Sequence, residues 1–280
     1  MPDAIGHYHL LDRIGSGGVG DVFRARDTKV GRTVALKVVS PEIATDPARR
    51  ARFLGDAQRL TDVTHPNIAT VYEVGDDQGV VYLAVEFVPG EPLRRLIAGG
   101  GLNPRRAIEY AIQIADALAE AHSLGITHDD LTTTNIVITP KGSVKILELG
   151  LASWTRSGRA RGRQDDLFAL GAVVFEMITG KPFDPHLSAA ARPTSVGREV
   201  PHELDPIVSR LLTTDRSAAY ESPATVAADL RALAEALDCR PQSPAPLAMP
   251  TPRRRDTALR WLILAAVALA AGIVWMVTRR

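Results

Sequence analysis

The chain has 280 residues, 45% of them hydrophobic, and a formal net charge of +1 at pH 7. This length allows one large domain or two small ones, each with a proper core. The near-neutral charge gives no global attraction toward nucleic acid or acidic partners. The single cysteine, Cys239, excludes an intramolecular disulfide framework and a cysteine-built zinc site.

Three segments rich in apolar and β-branched residues open the chain and predict consecutive strands: HYHLLDRIG, GDVFRARD and RTVALKVVS. Between the first two lies GSGGVG, which places Gly15, Gly17 and Gly20 at G-x-G-x-x-G spacing. Without a Cβ, such glycines let a backbone turn approach phosphate oxygens closely. A dinucleotide-binding turn would need a helix right after the glycines. The strand pattern of DVFRARD contradicts that alternative.

Lys37 lies in the third predicted strand, within VALKVV. Taken alone it could be an exposed strand lysine, but a glycine-rich hairpin followed by V-A-x-K is the signature of protein kinases. On these motifs the chain resembles the bacterial eukaryotic-like (Hanks-type) Ser/Thr protein kinases over about residues 8–238. The resemblance implies that Lys37 holds the α- and β-phosphates of ATP and that Ala35 lines the adenine slot. It further implies an adenine-binding hinge at Glu86 to Val88. The loop covering the phosphates would comprise Ile14, Gly15, Ser16, Gly17, Gly18, Val19, Gly20 and Val22.

The segment DPARRARFLGDAQRLTDV has helical spacing and matches the helix on which the family places a glutamate paired with the strand lysine. The best register puts Asp56 at that position, one methylene shorter than glutamate. Gly55 beside it costs the helix up to ~1 kcal/mol relative to alanine. The sequence therefore leaves open whether Lys37 and Asp56 meet.

Two more strands are predicted by the alternation in HPNIATVYEVG and GVVYLAVEFVPG. The following segment, NPRRAIEYAIQIADALAEAHSLG, carries apolar residues at helical spacing and ends at Gly125. It matches the long helix that precedes the kinase catalytic loop.

The stretch HDDLTTTN, residues 128–135, has the spacing of the family's catalytic loop, H-R-D-L-x-x-x-N. Asp130 matches the aspartate that accepts the proton of the substrate hydroxyl, and Asn135 matches the asparagine that binds a second Mg²⁺. Asp129 replaces the family's arginine and would repel an activation-loop phosphate. Thr132 stands where Ser/Thr kinases usually have a lysine, and it brings no positive charge to the γ-phosphate.

The tripeptide ELG, residues 148–150, stands in the place of the magnesium-binding D-F-G. Glutamate is a hard oxygen ligand, so Glu148 and Asn135 are the predicted metal ligands. The carboxylate of Glu148 lies about one bond further out than that of an aspartate, and a displacement of ~1 Å can cost ~100-fold in rate. We expect this change to impair phosphotransfer.

The platform for a peptide substrate is also altered. No A-P-E motif follows residue 150, and the segment 152–164 is short and basic. Asp166 matches the aspartate that anchors the catalytic loop's backbone, whereas the arginine that usually pairs with the A-P-E glutamate is replaced by Ala219. Losing one partner of a buried ion pair costs ~3–5 kcal/mol, but losing both can be near neutral. We therefore expect the domain to fold even though the segment that supports a peptide substrate in the family is altered.

The C-terminal segment WLILAAVALAAGIVWMVT, residues 261–278, contains no charged residue and no proline. As a helix it would extend roughly 27 Å, close to the ~30 Å hydrocarbon core of a bilayer. Residues 240–260 are rich in proline and arginine and are predicted to form a semi-extended linker. The arginines before the span favour a cytoplasmic N-terminal side. We expect a single-pass protein of the inner or plasma membrane with a cytoplasmic kinase-like domain.

These features predict an α+β, kinase-like bilobal fold, with a β-rich N-lobe of about residues 8–88 and an α-rich C-lobe of about 89–238, followed by one transmembrane helix. The preferred function is an ATP-binding, Mg²⁺-associated signalling protein with impaired phosphotransfer, a pseudokinase or scaffold with an unknown protein substrate or partner. One alternative is an active atypical Ser/Thr kinase. Another is a membrane interaction module without nucleotide, whose basic loop TRSGRARGRQ contacts anionic headgroups at ~1 kcal/mol per residue.

Overall fold

The structure is a computed structural model that describes residues 3–16, 19–154, 162–184, 192–196 and 200–238. Residues 1–238 form one unit, and residues 239–280 form a second unit that lies outside the described part of the chain. The predicted linker, the predicted membrane span and most of the basic loop TRSGRARGRQ therefore fall on residues that are not described. None of the helices in the described ranges combines the length and the apolar character needed to cross a membrane.

A six-stranded antiparallel sheet forms the first part of the fold, with strand order β1-β2-β3-β4-β6-β5. The three strands predicted at the start of the chain are confirmed as β2 to β4, and the next two as β5 and β6; β1 was not predicted. The strands are β1 (Ala4–Ile5), β2 (Tyr8–Ser16), β3 (Gly20–Asp27), β4 (Thr33–Val39), β5 (Val71–Asp77) and β6 (Val80–Glu86).

The two faces of this sheet pack into different cores, because successive side chains of a strand point to opposite faces. Val34 and Leu36 of β4 belong to a small cluster on one face. Leu83 and Val85 of β6 belong to the main core on the other face. Lys37 follows Leu36 in β4 and pairs with Leu83 in the register, so its side chain emerges on the face of the main core.

Two helices and a 3₁₀ turn follow β4: α1 (Pro41–Ala44), α2 (Pro47–Gln58) and the turn Arg59–Asp62. Helix α2 begins where the side chain of Asp46 accepts hydrogen bonds from the N–H groups of Ala48 and Arg49, which satisfies free donors of the first turn. It buries Phe53 and Ala57 in the main core. This confirms the predicted helix.

The second part of the fold is mainly helical. Helix α4 is the long helix predicted before the catalytic loop, and it packs against α7 and α5. A small antiparallel sheet of order β7-β8-β9 lies beside it. The elements are β7 (Glu91–Pro92), α3 (Leu93–Ile97), α4 (Pro104–Ser123), β8 (Ile136–Ile138), β9 (Val144–Ile146), the 3₁₀ turn Ala152–Trp154, α5 (Arg163–Thr179), the 3₁₀ turn Pro193–Val196, α6 (Leu204–Leu211) and α7 (Pro223–Asp238).

The two parts form a bilobal arrangement with a β-rich and a helical portion, and one hydrophobic cluster runs through both. It includes Leu83 of β6, Phe53 of α2 and Leu118 of α4. The loop between α4 and β8 carries residues 128–135, and the loop after β9 carries residues 148–150. The fold thus brings the two altered motifs to the junction between the sheet and the helices.

Candidate active site

A cleft of about 260 Å³ opens beneath the β2–β3 hairpin, just below the ~300–1,000 Å³ typical of small-molecule sites. Most of the described residues predicted to bind a nucleotide line this cleft, together with the predicted metal ligand Glu148. These lining residues are Ile14, Gly15, Ser16, Val22, Ala35, Lys37, Glu86, Val88 and Glu148.

Phe87, within the predicted hinge, also lines the cleft, whereas sequence reasoning missed three other lining residues: Ala69, Val85 and Leu147. Val85 precedes Glu86 and Leu147 precedes Glu148, so proximity to the predicted residues could have found both. Ala69 lies in the connection before β5, and no motif of the sequence points to it.

The glycine hairpin is folded on both sides of its tip, with Gly15 opposite Val22 and Ser16 opposite Asp21. Gly15 has open space where a Cβ would lie, which suits close approach by a ligand. At Gly20, by contrast, a Cβ would lie 1.9 Å from the carbonyl oxygen of Val38. Gly20 is therefore needed for packing against β4. Val19 is buried beside it, and the carbonyl of Val19 accepts a hydrogen bond from Ser40 N at 2.8 Å. Val19 and Gly20 do not line the cleft. Gly17 and Gly18 lie outside the described residues.

Lys37 forms a direct ion pair with Glu148, and both residues line the cleft. The side chain of Lys37 is 11% exposed and that of Glu148 is 31% exposed. Asp56 on α2 instead lies 3.9 Å from Arg52, one turn earlier on the same helix. The question left open by the sequence is thus answered: in the described residues, the ion-pair partner of Lys37 is Glu148.

The hinge strand is fixed through the side chain of Glu86. Its Oε2 accepts hydrogen bonds from Lys145 Nζ at 2.7 Å and from Thr70 N at 3.2 Å. The N–H of Glu86 donates to Thr70 O at 2.8 Å. Both the side chain and the backbone N–H of Glu86 are therefore held by neighbouring residues of the protein.

Asp166 holds the catalytic loop by its backbone, as predicted. This aspartate is only 1% exposed. Its carboxylate accepts hydrogen bonds from His128 N at 2.8 Å and Asp129 N at 2.9 Å, and it contacts His122 Nε2 at 2.7 Å. Since a buried carboxylate is stable only when its oxygens are hydrogen-bonded, these three donors and Asp166 form one interdependent anchor.

His128 links the two altered loops. Its Nε2 lies 3.0 Å from Leu147 O, and Asp130 N donates to its Nδ1 at 3.3 Å. Burial lowers the pKa of His128, which keeps the ring neutral. The two hydrogen bonds require the tautomer with the proton on Nε2, because a protonated Nδ1 could not accept from Asp130 N.

The predicted catalytic residues Asp130 and Asn135 lie together in the loop. Asn135 Nδ2 donates to the carbonyl of Asp130 at 2.9 Å, and Asp130 is exposed. Neither residue contributes to the described lining of the cleft. Thr132, at the position of the family's lysine, shares a hydrogen bond of 2.6 Å with the hydroxyl of Thr134. No cation in the described part of this loop replaces that lysine.

Asp129 is the most unusual residue of the loop. Its backbone is left-handed, with φ +66°. Its Oδ1 is buried and has no hydrogen-bond partner among the described residues. Burial raises the pKa of this carboxyl, and repulsion from Asp166 and Asp165 adds to the effect, against a hydrogen bond from Thr127 that lowers it. A cavity of about 180 Å³ adjoins it, lined by Asp56, Arg59, Leu60, Gly125, Ile126, Thr127, Asp129 and Gly150.

The predicted metal ligands are Asn135 and Glu148. The amide oxygen of Asn135 suits Mg²⁺ in kind. The carboxylate of Glu148, however, is in contact with the ammonium of Lys37. No cluster of three or more His, Cys, Asp or Glu side chains in the described residues could hold a metal ion. As they stand, these residues do not fit a resident divalent ion, and their metal role stays a prediction.

The protein kinase domain family matches residues 8–164 of the chain. Members of this family generally use ATP and Mg²⁺. The matched region includes the glycine hairpin, Lys37, the catalytic loop and Glu148.

Curated relatives are bacterial Ser/Thr protein kinases. Serine/threonine-protein kinase PrkC of Bacillus subtilis is 31% identical over 260 residues, covering 81% of this chain and 40% of the relative. Serine/threonine-protein kinase PknB of Mycolicibacterium smegmatis is 31% identical over 263 residues, covering 80% of this chain and 42% of the relative. The chain thus spans about two fifths of the length of these relatives.

The crystal structure of the Mycobacterium tuberculosis PknI kinase domain has the same fold. It matches with a TM-score of 0.67 and 22% identity, covering 82% of this chain and 97% of that one. This likeness concerns the fold alone. The family match and the curated relatives show the family: the chain belongs to the protein kinase family, as one of the bacterial eukaryotic-like Ser/Thr kinases.

Proposed function

We propose that this chain is a membrane-anchored, kinase-fold signalling protein that binds ATP in the cleft and transfers phosphate poorly. The observation that carries the proposal is the cleft itself. The described residues that line it include both sides of the glycine hairpin, Ala35, Lys37 and the hinge. A cleft with these groups is suited to an adenine ring at the hinge and to phosphates beside Lys37.

Impaired transfer is supported by the groups around the catalytic loop. Asp130 keeps the position of the base, but Thr132 brings no positive charge toward a γ-phosphate, and preorganised positive charge there is a large part of transition-state stabilisation. The carboxylate of Glu148 is occupied by Lys37. Ala219 is 5% exposed, so the site of the family's structural arginine is filled by a small apolar side chain.

Nucleotide binding is tested by thermal unfolding of the full chain in mild detergent, with and without ATP. Ligand at ~100 times its dissociation constant adds ~2.7 kcal/mol of stability, which amounts to several degrees. The control is Lys37→Met, which removes the phosphate-binding ammonium and should show no such shift. No shift of wild type with ATP would contradict nucleotide binding, and equal shifts of wild type and Lys37→Met would contradict binding of the phosphates beside Lys37.

An active atypical Ser/Thr kinase is the second candidate, because the base Asp130 is exposed and its loop is held in place by Asn135 and His128. The discriminating measurement is transfer of labelled γ-phosphate to protein substrates and to the chain itself. We expect a rate close to that of Asp130→Asn. A robust rate in wild type that disappears in Asp130→Asn would establish the active kinase instead.

The proposed location is the inner or plasma membrane, with the kinase-like domain in the cytoplasm, where it would meet a protein substrate or partner. The support is the uncharged segment 261–278. Alkaline extraction of membranes from expressing cells tests it: the full chain should stay in the membrane pellet, and a chain ending at residue 238 should be released. Release of both chains would contradict the anchor.

A further inference from the structure

The carboxylate that positions Lys37 comes from a different element than the family pattern assigns. Asp56 on α2 is 46% exposed and lies 3.9 Å from Arg52. It also lines a separate cavity, next to Asp129. Lys37, which is largely buried, is in direct contact with Glu148 from the loop after β9. In the described residues, the placement of the lysine therefore does not depend on a carboxylate of α2.

The contact depends on the length of the Glu148 side chain. The backbone of Glu148 is left-handed, with φ +62°, and its carbonyl accepts a hydrogen bond from Leu151 N at 3.3 Å. This turn fixes the starting point of the side chain. An aspartate in the same place would end about 1.5 Å short, the length of one carbon–carbon bond. The extra methylene thus carries the carboxylate to the lysine.

The ion pair and a divalent cation compete for the same carboxylate. A Mg²⁺ ion on Glu148 would lie against the ammonium of Lys37, and like charges at contact distance repel strongly in a half-buried site. With the pair intact, the carboxylate is already neutralised, so it offers little repulsion to a triphosphate. A metal ion on this carboxylate would have to displace the ammonium of Lys37.

We infer that Glu148 is the positioning residue for Lys37 and that the cleft binds ATP without a divalent cation. This inference rests on the proposed function, in which the cleft binds ATP. It assigns to position 148 the opposite of the role that the family's pattern implies: the glutamate holds the lysine, and it is not a metal ligand.

The test is calorimetric titration of the full chain in mild detergent with ATP, once with MgCl₂ and once with EDTA. The dissociation constant of wild type should agree within about threefold between the two buffers. Glu148→Asp withdraws the carboxylate from Lys37 and should make binding at least about tenfold weaker in EDTA than in Mg²⁺, a difference of ~1.4 kcal/mol. Asp56→Asn, the matched control on α2, should behave like wild type. Wild-type binding that tightens more than threefold with Mg²⁺ overturns the inference, as does a Glu148→Asp variant that is insensitive to metal.

A second measurement does not depend on nucleotide. Thermal unfolding of Lys37→Met, Glu148→Gln and the double variant, without ATP, should show that the double variant loses fewer degrees than the two single changes added together. The pair Lys37→Met and Asp56→Asn should be additive. Additive losses for Lys37 and Glu148 overturn the positioning role. Absence of ATP binding in both buffers overturns the proposed function and the metal-free binding, while this cycle still decides whether Glu148 holds Lys37.

Discussion

Asp129 and Glu148 are two carboxylates at positions where the family has other residues, and they meet opposite surroundings. Both have left-handed backbones, with φ +66° and +62°. Glu148 reaches Lys37 and forms an ion pair. Asp129 has a buried oxygen without a hydrogen-bond partner in the described residues, and its pKa is raised by burial.

The comparison shows that the fold fixes the backbone conformation at both positions but does not fix the surroundings of the side chains. The backbone at both positions is set by neighbours: Asp166 accepts from Asp129 N, and Leu151 donates to the carbonyl of Glu148. A left-handed conformation costs a non-glycine residue ~1–2 kcal/mol, and it is kept here with two non-glycine side chains. Backbone hydrogen bonds therefore maintain these two loops, and the side chains they present differ: the carboxylate of Glu148 pairs with Lys37, whereas Oδ1 of Asp129 has no partner in the described residues.

The largest effect is expected where the anchor itself is removed. Asp166→Ala leaves His128 N, Asp129 N and His122 Nε2 without their acceptor in a buried site. We expect a loss of ~3–5 kcal/mol in the free energy of unfolding, measured by urea denaturation of the full chain in detergent. Asp165→Ala, the neighbouring carboxylate at the start of α5, is the control. A loss below ~1 kcal/mol for Asp166→Ala, the range of an ordinary hydrogen bond, would show that the left-handed backbone at 129 is held by something else.

Substitution of His128 is expected to have the next largest effect on stability and to change how stability depends on pH. Burial lowers its pKa in the folded state, so below about pH 6.5 the unfolded chain takes up a proton that the folded chain does not. Stability should therefore fall as the pH drops from about 6.5 toward about 5. His128→Asn loses the donation to Leu147 O, at a cost of ~1–3 kcal/mol, and flattens this part of the pH dependence.

The control for that experiment is His65→Asn. The pKa of His65 is also lowered by burial, so the chain carrying His65→Asn should keep the share of the pH dependence that belongs to His128. Melting temperatures between about pH 5 and pH 7.5 for wild type and both variants separate the two contributions. Equal slopes in wild type and His128→Asn would contradict a neutral, buried His128.

Asp129→Asn should stabilise the protein at neutral pH. Because the pKa of Asp129 is raised in the folded state, stability falls as the pH rises above the unfolded value near 3.8. The amide cannot ionise, and asparagine tolerates the left-handed backbone well. We expect a gain of about 1 kcal/mol at neutral pH that disappears near the unfolded pKa, measured by thermal unfolding under both conditions. Asp130→Asn, the exposed neighbour in sequence, is the control for the loss of one negative charge in this loop.

The fold could be predicted from the sequence because its signals are local. The alternation of apolar residues marks the strands, the apolar residues at helical spacing mark α4, and Asp166 acts on the backbone of the catalytic loop. The motifs also placed Lys37, Ala35 and Glu86 in one cleft. The Lys37 to Glu148 contact could not be foreseen, since it depends on the left-handed backbone of the loop at Glu148 and on the reach of one extra methylene. Ala69 was missed because a small residue in an irregular connection carries no periodic signal.

The smallest effect concerns α2 and tests whether the cleft is independent of that helix. Gly55 lies in α2, is exposed, and has no atom within 4 Å of the place of a Cβ. Gly55→Ala should stabilise the protein by ~0.5–1 kcal/mol through lower backbone entropy in the unfolded chain. If Glu148 alone holds Lys37, stiffening α2 should leave the dissociation constant for ATP unchanged while the melting temperature rises. If the dissociation constant for ATP changed together with the melting temperature, helix α2 would influence the cleft. Glu148 would then not be the only element that positions Lys37.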